Sequence, residues 1–222
     1  MPRTARIVIP DVPYHVTQRG NRRQDVFFSI VDRKRYLEWL VKYSRYHRFD
    51  ILAYCLMTNH VHIVGIPRYA TSMARLLHIV NLRHTQSVNQ EQGWNGVLWQ
   101  GRYFSSPLDD VHLWACIRYV EQNPVRMGIV SKAEDYIWSS ARAHCALRRD
   151  PVLMPRTGFA GSLDEWSKVL SEVPEPEIVD RIRRRTHNGI PCGDDCFIKR
   201  ISTRAGREIF ERSRGRPRKN QP

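Results

Sequence analysis

The order of signals along the first 150 residues predicts an α+β fold, a ferredoxin-like βαββαβ antiparallel sheet with an added helix and a basic C-terminal extension. Three observations predict it. Short runs rich in β-branched and aromatic residues recur, longer segments with helical apolar spacing fall between them, and the composition turns Pro- and Arg-rich after Asp150.

The first strand is Tyr14-His15-Val16-Thr17-Gln18-Arg19, opening into the basic loop Gly20-Asn21-Arg22-Arg23. Tyr36, Leu37, Leu40, Val41 and Tyr43 give a first helix over 32–46, with Asp32 placed to cap it. Ile51 to Leu56 and His60 to Ile66 form a hairpin across Met57-Thr58-Asn59, and Pro67 ends its second strand. Thr71 or Ser72 starts a second helix through Met73, Leu76, Leu77, Val80 and Val88 to Gly93, and Val97 to Ser106 supplies the last strand. Both helices then cover one sheet face and leave the other free. A third helix runs from Asp109 to about Asn123, and a short one follows Trp138-Ser139-Ser140 to Arg148. Asp150-Pro151, Met154-Pro155 and Gly158 mark the end of the core, giving a domain over 1–150 and an extension over 151–222 with short helices at 163–170 and 177–185.

Charge points to a polyanionic partner. The 222 residues carry 36 Lys+Arg against 22 Asp+Glu, a net +14, and residues 181–222 hold 13 of those basic residues against 4 acidic ones. The extension therefore supplies +9 of the +14. Nothing reads as a basic amphipathic membrane helix or a spanning segment, so nucleic acid is the expected partner, not a membrane. With no apolar leader at Met1-Pro2-Arg3, the expected location is the cytosol, and the five cysteines are expected to be reduced thiols.

His60 and His62 flank Val61, so strand periodicity puts both imidazoles on one face, a spacing suited to a metal. Such a pair is also what a polar sheet face can carry. Tyr119 and Asn123 are spaced i, i+4 and share a helix face, and Pro124 ends that helix. Each has a plain structural alternative, a core tyrosine and a helix-terminating asparagine. Beside a divalent cation, a tyrosine hydroxyl becomes a feasible nucleophile toward a phosphodiester.

Four runs together, Tyr14 to Asn21, Met57 to His62, Trp99 to Phe104 and Tyr119 to Arg126, resemble the REP-associated tyrosine transposases of the HUH single-tyrosine superfamily. The resemblance covers residues 1–150, and Gly215-Arg216-Pro217-Arg218 extends it, since such proteins end in a basic extension with Gly-Arg-Pro. Related insertion-sequence transposases commonly have Gln four residues after the tyrosine, where this chain has Asn123.

The resemblance implies a metal-dependent endonuclease and strand transferase acting on single-stranded DNA in the bacterial, nucleoid-associated cytoplasm. His60, His62 and Asn123 would hold Mg²⁺ or Mn²⁺, and the added helix would be catalytic, its Tyr119 attacking to leave a 5′-phosphotyrosine and a free 3′-OH. The partners implied are REP-type DNA hairpins with a short 5′ guide sequence, contacted by His15, Gln18, Arg19, Arg22, Arg23 and Arg102. Independently, Arg216-Pro217-Arg218 resembles a minor-groove hook, so Arg216 and Arg218 are expected on DNA. Cys192 and Cys196 lack a convincing set of zinc ligands, and Trp94, Trp99 and Trp114 are read as core aromatics. The alternative is a non-cleaving nucleic-acid-binding regulator on the same platform, and a weaker one is an enzyme that cleaves RNA hairpins. A regulator has no need of a histidine pair facing a Tyr/Asn helix.

Overall fold

A computed structural model of the chain describes residues 6, 8–154 and 165–209. Strand β1 (Tyr14–Arg19) is followed by helix α1 (Ile30–Tyr46), strands β2 (Phe49–Leu56) and β3 (His60–Pro67), helix α2 (Ser72–Gln92) and strand β4 (Phe104–Pro107). The sheet order is β2-β3-β1-β4 and every neighbouring pair is antiparallel. This is the α+β arrangement expected.

Alternation along the strands divides the interior into two layers. Tyr14 and Val16 of β1 and Val61 and Ile63 of β3 pack with Tyr36 and Leu40 of α1 and Met73 and Leu76 of α2. On the opposite face Val64, Ala53 and Cys55 pack with Cys116, Ile117 and Val120 of α3 (Asp110–Glu121). A register shift between Ile51 and Ala53 changes the parity of β2, so Phe49, Ile51, Tyr54 and Leu56 all enter the first layer. Gly65 lets β2 and β3 close up there, since a Cβ on it would lie 2.4 Å from Phe49 Cε1.

Several expectations need correction. Ser29 caps α1, accepting from the Asp32 amide while Asp32 accepts from the amides of Phe28 and Ser29; Asp32 is thus the third-position partner of a capping box. The fourth strand keeps only four residues, because Trp99 and Gln100 turn back to meet Gly20 and Arg19. The third helix ends at Glu121, and the chain continues as the single turn α4 (Asn123–Arg126). Pro124 sits in the first turn of α4, where a missing N–H costs nothing. The short helix after Ser140 is only α5 (Ala141–His144).

The core does not stop near residue 150. Helices α6 (Trp166–Ser171), α7 (Pro176–Asn188) and α8 (Asp195–Ala205) bury Trp166, Leu170, Val179, Ile182, Phe197 and Ile201 in the two layers. Helix α8 was not expected; Asp194 caps it by accepting from the Phe197 amide, and Phe197 and Ile201 share its inner face. The second face is therefore roofed by α3 over β2 and β3 and by α7 over β1 and β4. All five cysteines are free thiols. Trp99 is buried and Trp114 partly buried, but Trp94 is 44% exposed and is not a core residue. Among the described residues no helix is long and apolar enough to cross a membrane.

Candidate active site in the seam between α3 and α7

His60 and His62 point to the second face, as their spacing in β3 requires, and their ring centroids lie 4.9 Å apart. Tyr119 of α3 reaches the same seam, its ring edge-on to His62 at 5.7 Å and to His15 at 5.8 Å. Asn123 Nδ2 lies 3.3 Å from His60 Nε2. All four side chains are buried, with 5 to 7% of their surface exposed. The fold thus brings together four residues separated by up to 63 positions.

Hydrogen bonds fix how His60 presents itself. Asn59 Nδ2 donates to the Arg23 carbonyl at 3.1 Å, so its Oδ1 is left to accept from His60 Nδ1 at 2.6 Å. With the proton on Nδ1, His60 Nε2 keeps its lone pair and accepts from Asn123 Nδ2. Asn123 Oδ1 accepts from Arg126 Nη2 at 3.2 Å, and because guanidinium only donates, the amide orientation follows. Asn123 is therefore beside His60 but turns its NH₂ toward the imidazole; the expected ligand oxygen is held by Arg126.

A second chain runs behind His62. His62 Nδ1 is 2.9 Å from His15 Nε2, and His15 Nδ1 is 2.8 Å from Thr186 Oγ1 of α7. If protons sit on the two Nδ1 atoms, each donates toward α7 and His62 Nε2 is left as an open lone pair. Burial lowers the pKa of His15 to about 3 and that of His60 to about 4, the latter helped by Arg19. Burial, with His60, His15, Arg126 and Arg19 nearby, holds His62 well below the usual histidine range. The three imidazoles are neutral at pH 7.

Neutral imidazoles with Nδ1 engaged and the Nε2 lone pair directed outward are the donor type that a divalent cation takes; His62 Nε2 is open, and His60 Nε2 would become so once the Asn123 NH₂ turns away. Among the described residues no three His, Cys, Asp or Glu side chains converge as a metal group. The fit therefore rests on two histidines plus the Asn123 amide. Two nitrogen donors suit Mn²⁺ better than Mg²⁺, which prefers an oxygen shell.

The other expected contacts separate. His15 is 1% exposed and lies behind His62, so it orients a neighbour and does not face a ligand. Gln18 points to the α1/α2 side and donates to the carbonyls of Gln100 and Gly101, which removes it as a DNA contact. Arg19 lies opposite His60 in the β1–β3 register. Arg22, Arg23 and Arg102 are exposed at the same sheet end, where Gly20 bonds Asn59 and Gln100 bonds Arg19. Arg216 and Arg218 lie outside the described residues.

The model of the IS200-like transposase family matches residues 9–123, which spans β1 through the first residue of α4 and includes His60, His62, Tyr119 and Asn123. The chain belongs to the IS200-like transposase family. Members process DNA, and this transposase carries its histidine pair and its tyrosine on opposite walls of one seam. Its fold is similar to the structure of a REP-associated tyrosine transposase bound to a REP hairpin, at 18% identity and a TM-score of 0.52, over 72% of this chain and 96% of that one. A Deinococcus radiodurans R1 protein named as a candidate transposase aligns at 17% identity over 54% of this chain and 96% of that one, with a TM-score of 0.39 on which no argument rests. No curated protein matches the chain.

Sequence reading assigned no role to Arg126, Arg183 or Thr186. The Arg126 guanidinium carbon stacks 4.3 Å over the Tyr119 ring, and Arg183 Nε lies 3.4 Å from the Tyr119 hydroxyl. Arg126 could have been found, being three residues from Asn123 in a marked run. Arg183 and Thr186 follow the matched segment by 60 residues or more, and no local pattern ties them to Tyr119.

Proposed function

We propose that this transposase cuts and rejoins single-stranded DNA at REP-type hairpins through a 5′-phosphotyrosine, with Tyr119 as nucleophile. The observation that carries the reading is the convergence of Tyr119, His60, His62 and Asn123 in one buried seam. Under this reading His60 and His62, joined by Asn123, would hold Mg²⁺ or Mn²⁺, which supplies charge against the phosphoryl oxygens. Tyr119 Oη forms a bond to phosphorus as the P–O3′ bond breaks; the phenolic proton passes to water and the departing 3′ oxygen takes one up. One phosphodiester is exchanged for another, so a 3′-OH can reverse the step without an external energy source. Arg19, Arg22, Arg23 and Arg102 are proposed to contact the phosphates of the DNA strand and a short 5′ guide segment, a reading supported by their position at the sheet end that carries His60. The extension to residue 222, with Arg216 and Arg218, is proposed to add phosphate contacts on duplex DNA in the bacterial cytoplasm.

Incubation of the full chain with a hairpin oligonucleotide and Mn²⁺ should give a covalent protein–DNA band on a denaturing gel. Tyr119→Phe should abolish the band and leave hairpin affinity nearly unchanged. Binding without a band in the wild-type protein would favour a non-cleaving regulator, and a band with RNA of the same sequence would move the substrate class.

A further inference from the structure

Arg126 carries a charge that its surroundings leave mostly unanswered. Its Nη2 donates to Asn123 Oδ1, but Nε and Nη1 are buried without a hydrogen-bond partner among the described residues, and no carboxylate pairs with it there. Arg118 also has a buried Nε without a partner among the described residues, but its Nη2 is met by the carboxylate and carbonyl of Glu172. Buried guanidinium nitrogens are ordinarily bonded, so two idle ones beside the Tyr119 ring call for a ligand. A second guanidinium approaches the same phenol from α7. Arg183 Nε is 3.4 Å from Tyr119 Oη, and its link to Asp180, at 3.6 Å between exposed groups, is weak. Burial, helped by the like charge of Arg183, lowers the Arg126 pKa.

We propose that Arg126 and Arg183 form a two-guanidinium cradle for the phosphodiester that Tyr119 attacks, binding its non-bridging oxygens before the step and the phosphotyrosine after it. The proposal rests on Tyr119 as nucleophile. Arg126 over the Tyr119 ring and Arg183 beside its hydroxyl present two planar forks at one phenol, and such forks match the anionic oxygens of a phosphoryl group. The arginines exchange no proton; they hold charge while the Oη–P bond forms and the P–O3′ bond breaks. When Arg126 turns to phosphate it releases Asn123 Oδ1, so substrate arrival frees the amide to face His60 by its oxygen. Arg183 lies beyond the family match, so the C-terminal helices belong to the active site.

The test uses the full chain and two probes. First, inorganic phosphate is titrated against arginine Nε–H resonances, assigned by loss in Arg126→Gln and Arg183→Gln. Saturable shifts of both resonances, weakened tenfold or more in affinity by either substitution, are expected; unmoved resonances would overturn the cradle. Second, adduct formation is timed with hairpin oligonucleotides carrying either a phosphate or a neutral methylphosphonate at the cleaved linkage. Each substitution should slow the phosphate substrate a hundredfold or more but the methylphosphonate substrate much less, with Arg126→Lys intermediate. Equal slowing of both substrates, in variants whose amide spectra match the wild type, would overturn the cradle. A wild type that forms no adduct but shifts both resonances would overturn the proposed reaction and leave the anion site standing.

Discussion

His15 Nε2 lies 2.9 Å from His62 Nδ1, with the two rings within 9° of parallel. Thr186 completes the line from a helix more than 120 residues further along the chain. This arrangement selects the tautomer of His62. Replacing His15 by Phe keeps a ring in place but removes the acceptor, and should weaken Mn²⁺ binding by about 10- to 100-fold while folding persists. Thr186→Val should do less. Electron paramagnetic titration of free Mn²⁺ measures the affinity, and ¹⁵N shifts of His62 in the metal-free protein report the tautomer; unchanged values for His15→Phe would remove the relay.

Glu121, two residues from Tyr119, anchors α3 from behind. Its carboxylate, 0% exposed, accepts from His144 Nδ1 at 2.6 Å, from Trp166 Nε1 at 2.7 Å and from the Ser140 hydroxyl. Glu121→Ala removes the acceptor that these buried donors share, and should cost about 3–5 kcal/mol in urea unfolding. Glu121→Gln, which keeps the shape, should cost less.

Truncation should discriminate between two parts of the basic extension. Removing residues 181–222 strips Ile182, Cys192, Phe197 and Ile201 from the core, and at about 2–5 kcal/mol for each large buried apolar side chain this exceeds the stability of an ordinary domain. That protein should not fold. Cutting after Ile209 removes five basic residues and one acidic one, a change of −4, and should leave the fold intact while flattening the salt dependence of hairpin binding. Circular dichroism and fluorescence anisotropy at several salt concentrations check both.

His84 sets an acid limit on stability away from the site. It is 1% exposed, bonds the Val26 carbonyl at 2.6 Å, and burial lowers its pKa to about 4. The unfolded chain protonates near the ordinary histidine value of about 6.5, so between there and about 4 it binds more protons than the folded state. Stability therefore falls as pH drops through that window, by up to about 3 kcal/mol for this group. His84→Gln keeps an N–H donor without titrating, and its urea midpoints should change less over pH 4–6.5 than those of the wild type.

Much of the fold was legible because local rules decide it. Period-two alternation placed His60 and His62 on one face, and the strand-helix order specified the sheet. Reading failed where the deciding contact is distant. The Pro-rich stretch after Asp150 looks like a boundary in composition, but Trp166, Ile182 and Phe197 find their partners on strands and helices far earlier in the chain.

The βαββαβ order, the shared face of the histidine pair and the i, i+4 relation of Tyr119 to Asn123 were readable from the residues alone, because each depends only on backbone periodicity. Packing between distant segments decided that His15 is a buried orienting residue, that Gln18 faces away, that Asn123 offers its NH₂ to His60, and that Arg183 and Thr186 reach the seam of Tyr119. Those assignments depend on which donor meets which acceptor once α7 closes over β1 and β4, and periodicity within one element does not encode a partner in another.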